Sequence, residues 1–356
     1  MIDLEVLSQT HNELFELKLK NITPEDSSNN LKDLFRFLKQ FYASYSIDNI
    51  ESDFKIILSD KDFGECGLDK KKSITSTIGN VHESVEFPAV IQLMSNNAVC
   101  IWNNFNMNFD MTNYDDVIVY EYTTISESIS VGKNKVLAPA SCTKSKSIFA
   151  LATYLDLESA LDNYYKDYAK YSVCKIMQEA WYDENRLLWK SSPESILRDS
   201  LWQFLRGALR NAGDILREQN VNEENPIDIK ITWNNSIERA LIEIKWLGTS
   251  VDDNGIKTCN HSNSRIKAGA KQLIDYIDTS YEQTPTAYFK GYLVVFDGRR
   301  RMVDTPDKLQ KHTKEHSIYF KDIENREQIH QEFWDKKCIY KRFFLEPVIE
   351  KRKFSN

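Results

Sequence analysis

The sequence predicts a two-domain α/β protein, in which a mixed α+β domain precedes a mixed sheet flanked by helices. The length of 356 residues suggests two domains. Hydrophobic residues make up 41% and charged residues 28% of the chain, a globular balance with enough apolar side chains for a sizeable core. Apolar residues recur with helical spacing in some segments and with strand alternation in others, so both element types are expected.

The domain boundary is predicted between residues 190 and 191. Ser192, Pro193 and Glu194 combine a hydroxyl N-cap, a proline at the first helical position and an acid in the first turn, which predicts a helix start. We therefore expect an N-terminal domain over residues 1–190 and a second domain over residues 191–356.

The N-terminal domain has recognisable elements but no pattern that indicates chemistry. Its apolar spacing predicts helices at 30–45 and, in one or two pieces, at 145–182; strands are predicted at 54–58, 89–94, 98–102 and 117–123. We expect this domain to serve recognition, sensing or partner binding.

The second domain is predicted in the order helix, strand, strand, strand, helix, strand. The first helix is expected to stop at Gly213. Strands are predicted at 214–219, 226–233, 240–247 and 291–297, and the second helix at 265–279. The polar segment 248–264, with Cys259 and His261, is predicted to be a long loop that orders when nucleic acid binds.

The bulk properties exclude some classes of protein. The longest apolar runs have strand length and fall short of a membrane span, and the first residues do not resemble a secretory signal. The six cysteines are scattered without C-x-x-C spacing, which favours reduced thiols in a cytoplasmic protein. The net charge of -7 still allows a local basic patch for nucleic acid.

Three charged residues in the apolar strands of the second domain point to chemistry. Glu243 and Lys245 lie two positions apart in a strand and therefore share a face. A buried carboxylate and ammonium cost several kcal/mol unless they have partners or a metal. The predicted hairpin brings Asp228, at the head of the preceding strand, close to Glu243.

These residues resemble the motif of the PD-(D/E)XK nuclease superfamily, although Ile227 separates Pro226 from Asp228. The resemblance implies a restriction-endonuclease-like core with Mg²⁺ or Mn²⁺ held by Asp228 and Glu243 and by the backbone carbonyl of Ile244. In that family the lysine, here Lys245, positions the attacking water and stabilises charge at the phosphorus.

A second element resembles the Q-x-x-x-Y motif of RecB-type members of the superfamily. Gln272 and Tyr276 stand four residues apart, on one face of the predicted second helix. The resemblance implies that this pair contacts the active site or the nucleic acid strand. Arg265, Lys267 and Lys271 add positive charge to the same helix, which suits phosphate groups.

Other polar residues have more than one interpretation. Glu194 is either a further metal ligand or an acid that complements the helix dipole, and Glu218 is another candidate ligand. Residues 299–301, three arginines, form either a solvated loop or a phosphate grip. His312, Glu315 and His316 match the H-x-x-E-H pattern of zinc peptidases, but in polar surroundings.

The sequence thus predicts a Mg²⁺- or Mn²⁺-dependent endo- or exonuclease that acts on DNA, with RNA as the second option. The family resemblance suggests a restriction or anti-phage defence effector, which works as a homo-oligomer or with a partner protein of the defence system and without a membrane. The alternatives are a catalytically silent nuclease-like fold that binds nucleic acid or a partner, and a zinc peptidase.

Overall fold

A computed structural model of the chain divides into two compact units, Met1–Ala152 and Thr153–Asn356. The structure describes residues 4–24, 28–45, 47, 50–61, 63, 72–75, 84–96, 98–104, 114, 117–139, 147–150, 153–209, 212–220, 226–234, 236–301, 303, 305–306 and 329–348. The pattern at His312, Glu315 and His316 lies outside these residues.

The first unit pairs two helices with a mixed sheet. Helices α1 (Leu4–Ile22) and α2 (Ser28–Ser44) precede strands β1 (Phe54–Leu58), β2 (Lys72–Thr75), β3 (Ala89–Leu93), β4 (Val99–Asn103), β5 (Ile118–Tyr122), β6 (Glu127–Val131) and β7 (Asn134–Leu137). The strand order is β2-β4-β3-β1-β5-β6-β7, with β1 and β3 parallel and the other neighbours antiparallel. The predicted helix at 30–45 and the four predicted strands are confirmed to within two residues at each end.

The second unit begins at Thr153, not at the predicted boundary between 190 and 191. Helix α3 (Tyr154–Tyr164), a turn of π-helix (Tyr165–Ala169) and the short α4 (Lys175–Gln178) belong to it. Their buried residues, among them Leu157, Leu161 and Met177, pack in one core with strand residues of this unit. The helix predicted at 145–182 is therefore present only in pieces from Tyr154 onward, and these pieces cover the second sheet. Ile148, Phe149 and Ala150 are not helical and pack against the core of the first unit.

The second unit is a mixed sheet with helices on both faces, as predicted. Its elements are β8 (Trp189–Lys190), α5 (Glu194–Ala208), β9 (Ala212–Asn220), β10 (Pro226–Trp233), β11 (Glu238–Val251), β12 (Lys257–His261), α6 (Asn263–Gln283), β13 (Tyr288–Asp297), α7 (Gln331–Asp335) and β14 (Ile339–Phe344). The order β14-β13-β11-β10-β9 combines an antiparallel β9–β10–β11 meander with parallel β11–β13 and β13–β14 pairs.

Two predictions about local structure in this unit were wrong. The first helix ends at Ala208, and Gly213 already lies in β9. The segment 248–264 is not a long loop, because β11 runs on to Val251 and returns as β12, which pairs antiparallel with it. Alternating polar residues can form a hairpin when a neighbouring strand already provides backbone partners.

Two cores lie on opposite faces of the second sheet. Ile242, Ile244 and Trp246 pack with α3 and α5 in one core, while Leu241 and Leu247 pack with α6 in the other. The predicted alternation along β11 is therefore confirmed. No described helix is both long and apolar enough to cross a membrane.

Candidate active site

The antiparallel hairpin of β10 and β11 brings Asp228 and Glu243 together, as predicted. Ile229 pairs with Ile242, so Asp228 of β10 and Glu243 of β11 come next in the antiparallel register. The Oδ2 atom of Asp228 accepts a 2.8 Å hydrogen bond from the backbone N–H of Ile244. This bond ties the carboxylate to the strand that carries Glu243.

Glu243 and Lys245 are buried together beneath α6. Their exposed fractions are 1% and 3%. The Nζ atom of Lys245 donates to Oε1 of Glu243, while Oε2 of Glu243 is buried without a hydrogen-bond partner. A Cβ atom on Gly269 of α6 would lie 2.7 Å from Cγ of Lys245, so only a glycine lets the helix approach this closely.

The two carboxyl groups hold their protons more tightly than ordinary acids do. The pKa of Glu243 is raised to about 8, chiefly by burial and also by the charges of Asp228 and Glu194, against the lowering effect of Lys245. Burial also raises the pKa of Asp228. The low-dielectric surroundings and mutual repulsion disfavour two negative charges here, and a cation between them would relieve both.

Glu194 at the start of α5 reaches the same cluster. Its Oε1 lies 3.6 Å from Nζ of Lys245, and its Oε2 accepts a 3.1 Å hydrogen bond from Arg265. Glu194 therefore does more than complement the helix dipole, because it holds two cations at the edge of the site.

Arg198 is a member of the site that sequence reasoning missed. Its guanidinium contacts Oδ1 of Asp228 at 3.3 Å and Oε1 of Glu218 at 2.7 Å. The candidate ligand Glu218 thus lies at the site, but paired with this arginine. The spacing Glu194-x-x-x-Arg198 places both side chains on one face of α5, which was the available sequence signal.

Gln272 and Tyr276 form the side-chain pair that their spacing predicts. The amide Nε2 of Gln272 donates to the Tyr276 hydroxyl at 2.5 Å, and that hydroxyl donates to the carbonyl of Pro226 at 3.2 Å. Burial raises the pKa of Tyr276 to about 12. The pair therefore links α6 to the start of β10, two residues from Asp228. Its contact with nucleic acid stays a prediction.

His261 lies in β12 and not in a loop. Its ring lies 4.4 Å from the Trp246 ring in an edge-on arrangement. Partial burial lowers the pKa of His261, and the charges of Arg265 and Lys245 lower it further. The hairpin that replaced the predicted loop therefore adds a neutral imidazole to the neighbourhood of the site.

Two of the three arginines at 299–301 are structural. Arg299 donates to both oxygens of the buried Asp297 and to Asn263. Arg300 donates to the carbonyls of Arg186 and Leu345 at 2.9 and 2.7 Å and is 7% exposed. Neither predicted role, a solvated loop or a phosphate grip, describes these two side chains, because folding turns them inward.

The donor set of the site fits a hard divalent cation. In the described part of the chain no three His, Cys, Asp or Glu side chains are grouped so that they could hold a metal. Mg²⁺ commonly takes only one or two carboxylates and keeps several waters. The partnerless Oε2 of Glu243 next to Asp228 offers such a position.

Comparison of the chain with protein-family models, curated proteins and solved structures found no match.

Proposed function

We propose that the second unit is a Mg²⁺- or Mn²⁺-dependent nuclease of the PD-(D/E)XK type that hydrolyses phosphodiester bonds of DNA, with RNA as the alternative substrate. The observation that carries the proposal is the buried group of Asp228, Glu243 and Lys245 on two neighbouring strands. Structural needs alone rarely bury two acids and an amine together, since each costs several kcal/mol.

The order of elements supports the same proposal. Helix α5, strands β9, β10 and β11, helix α6 and strand β13 follow the order of the superfamily core, with the β12 hairpin strand added before α6. The acid on β10 and the E-x-K on β11 occupy the positions that the family motif requires.

The residues of the site divide the work of hydrolysis. A divalent ion held by Asp228 and Glu243 would lower the pKa of a bound water and offset charge on the phosphate. Lys245 holds an ammonium between Glu243 and Glu194, from which it can donate to that water or to a phosphate oxygen. A dry, pre-arranged site strengthens these interactions, because less solvent screens them.

Substrate binding is assigned to α6. Lys267 and Lys271 are exposed on this helix, and Arg265 is partly exposed at its first turn. Cations along one helix next to the site suit the phosphates of a strand that enters it. A defence role, a cytoplasmic location and assembly with a second copy or a partner protein rest on the family resemblance alone.

The test is cleavage of plasmid, linear duplex, single-stranded DNA and RNA with Mg²⁺, Mn²⁺ or EDTA. We expect metal-dependent cleavage by the wild type and a loss of at least about 100-fold in Lys245→Ala, the size of effect seen when one transition-state donor is removed. Lys341→Ala is the matched control, since Lys341 of β14 pairs with Asp162 at 2.6 Å and takes no part in the site.

The outcome also separates the alternatives. Binding of nucleic acid without cleavage, unchanged by Lys245→Ala, would favour the catalytically silent fold. Cleavage of a protein substrate that Zn²⁺ but not Mg²⁺ or Mn²⁺ restores after chelation, without cleavage of nucleic acid, would contradict the nuclease proposal and favour the peptidase.

A further inference from the structure

Arg198 places its positive charge beside Asp228, a proposed metal ligand. Its Nη1 lies 3.3 Å from Oδ1 of Asp228, and Oδ2 of the same carboxylate accepts the Ile244 N–H. Both oxygens of Asp228 are therefore engaged. A divalent ion that approaches Asp228 meets a full positive charge within hydrogen-bond distance of its ligand.

Glu218 lies on the neighbouring strand at the level of Asp228. The register pairs Ile227 with Gln219 and Ile229 with Arg217, and between these two pairs stand Asp228 and Glu218. Arg198 bridges them, with Nη2 only 2.7 Å from Oε1 of Glu218. The backbone of Glu218 has φ of 50°, a left-handed conformation that is strained for a residue other than glycine.

The two acids differ in what else they do. Asp228 has 8% of its side chain exposed, whereas Glu218 has 58% exposed and no role in the β10–β11 hairpin. The Nε atom of Arg198 is buried without a hydrogen-bond partner, so these two carboxylates hold the guanidinium. Such a group can shift its charge from one acid toward the other at little structural cost.

We propose that Arg198 is the resident counter-ion of the metal site and competes with the divalent ion for Asp228, while Glu218 receives the arginine when the metal binds. This inference rests on the proposed function. It assigns Arg198 and Glu218 as positioning residues that set metal affinity through Asp228. The arginine neutralises the buried acid while no metal is bound, and the glutamate lowers the cost of releasing it.

The test is titration of the full-length protein with Mn²⁺ by calorimetry, without nucleic acid. Arg198→Gln keeps hydrogen-bond donors but removes the charge, and we expect it to bind Mn²⁺ about tenfold more tightly. Glu218→Gln leaves the arginine to Asp228 alone, and we expect about tenfold weaker binding. Both values correspond to coupling between contacting charges, with 1.4 kcal/mol for each factor of ten.

The double variant separates this device from direct ligation. If Glu218 acts through the arginine, Arg198→Gln with Glu218→Gln binds Mn²⁺ like Arg198→Gln alone. If Glu218 were a metal ligand, the double variant would bind more weakly than Arg198→Gln, which would overturn the inference. Arg217→Gln is the matched control, because Arg217 of the same strand pairs with Asp199 at 2.6 Å and should leave the affinity unchanged.

Failure of this inference is distinct from failure of the proposed function. If the wild type binds Mn²⁺ and the Arg198→Gln variant binds it with equal or weaker affinity, only the counter-ion role is refuted. Wild type that binds no divalent ion would refute both. Should Arg198→Gln fail to fold, Glu218→Gln still tests the inference, because its exposed side chain can be changed without opening the core and unchanged or tighter Mn²⁺ binding would overturn it.

Discussion

Without metal, the second unit should lose stability as the pH rises. The perturbation is a change from about pH 6 to about pH 9 in EDTA. The group that responds is the carboxyl of Glu243, whose pKa burial raises from 4.5 to about 8. The raised pKa of Asp228 acts in the same direction.

The sign follows from proton binding. The folded chain keeps the Glu243 proton to higher pH than the unfolded chain does, so the folded state binds more protons between about pH 4.5 and 8. The stabilisation is full below pH 4.5 and is lost as the pH rises through 8. Between about pH 6 and the folded pKa of about 8, a slope of about 1.36 kcal/mol for each pH unit corresponds to a loss on the order of 3 kcal/mol.

The assay is thermal unfolding followed by circular dichroism across this pH range. For a domain of this size, the loss corresponds to a fall in Tm of roughly 6–12 °C. Mg²⁺ or Mn²⁺ should reverse it at high pH, by about 2.7 kcal/mol at an ion concentration one hundred times Kd. A divalent ion favours the ionised carboxylates, which is the state that burial disfavours.

Two variants serve as controls for the same assay. Glu243→Gln should flatten the pH dependence of the metal-free protein. Burial also raises the pKa of Glu127 in the first unit to about 7, so this residue adds its own loss of stability as the pH rises. Glu127→Gln removes that contribution, which a metal ion in the second unit would not reverse. A Tm in EDTA that stays constant, or that falls as steeply in Glu243→Gln, would refute the reasoning.

Three further substitutions test the packing of the site. Gly269→Ala should displace Lys245, because the new Cβ would lie 2.7 Å from its Cγ, and we expect at least about tenfold slower cleavage with metal affinity kept; unchanged cleavage would contradict the close packing. Tyr276→Phe removes a hydroxyl with two partners and should cost about 1 kcal/mol in denaturant unfolding, whereas no loss would argue that the bonds are not formed in solution. Arg300→Leu leaves buried carbonyls without donors and should cost about 2–4 kcal/mol by the same measurement, a value that a solvated arginine could not produce.

Local patterns in the sequence were enough for the elements that carry the site. Alternation over 226–233 predicted β10, and the apolar run 240–247 predicted the centre of β11, in which Glu243 and Lys245 are the two charged residues. The i, i+4 spacing likewise predicted the contact between Gln272 and Tyr276. These features follow from strand and helix periodicity, which needs no knowledge of distant partners.

Only the tertiary structure decided which distant side chains complete the site. Arg198 is one of many arginines in the sequence, and it gains a role because α5 places it between Asp228 and Glu218. His261 comes near the site because β12 pairs with an extended β11. Arg300, predicted to be at the surface, instead serves two carbonyls in the interior.

The domain boundary shows the same division. Apolar spacing predicted helix at 145–182, but whether a helix covers the first or the second sheet depends on which apolar face it meets. By itself the sequence determined two domains, four strands of the second sheet (β9, β10, the centre of β11 and β13) and the acids and lysine at its centre, because these depend on neighbours within a few residues. Packing decided the domain boundary, the pairing of Asp228 with Arg198 and the burial of Arg299 and Arg300, because charge and burial are set by residues far apart in the chain.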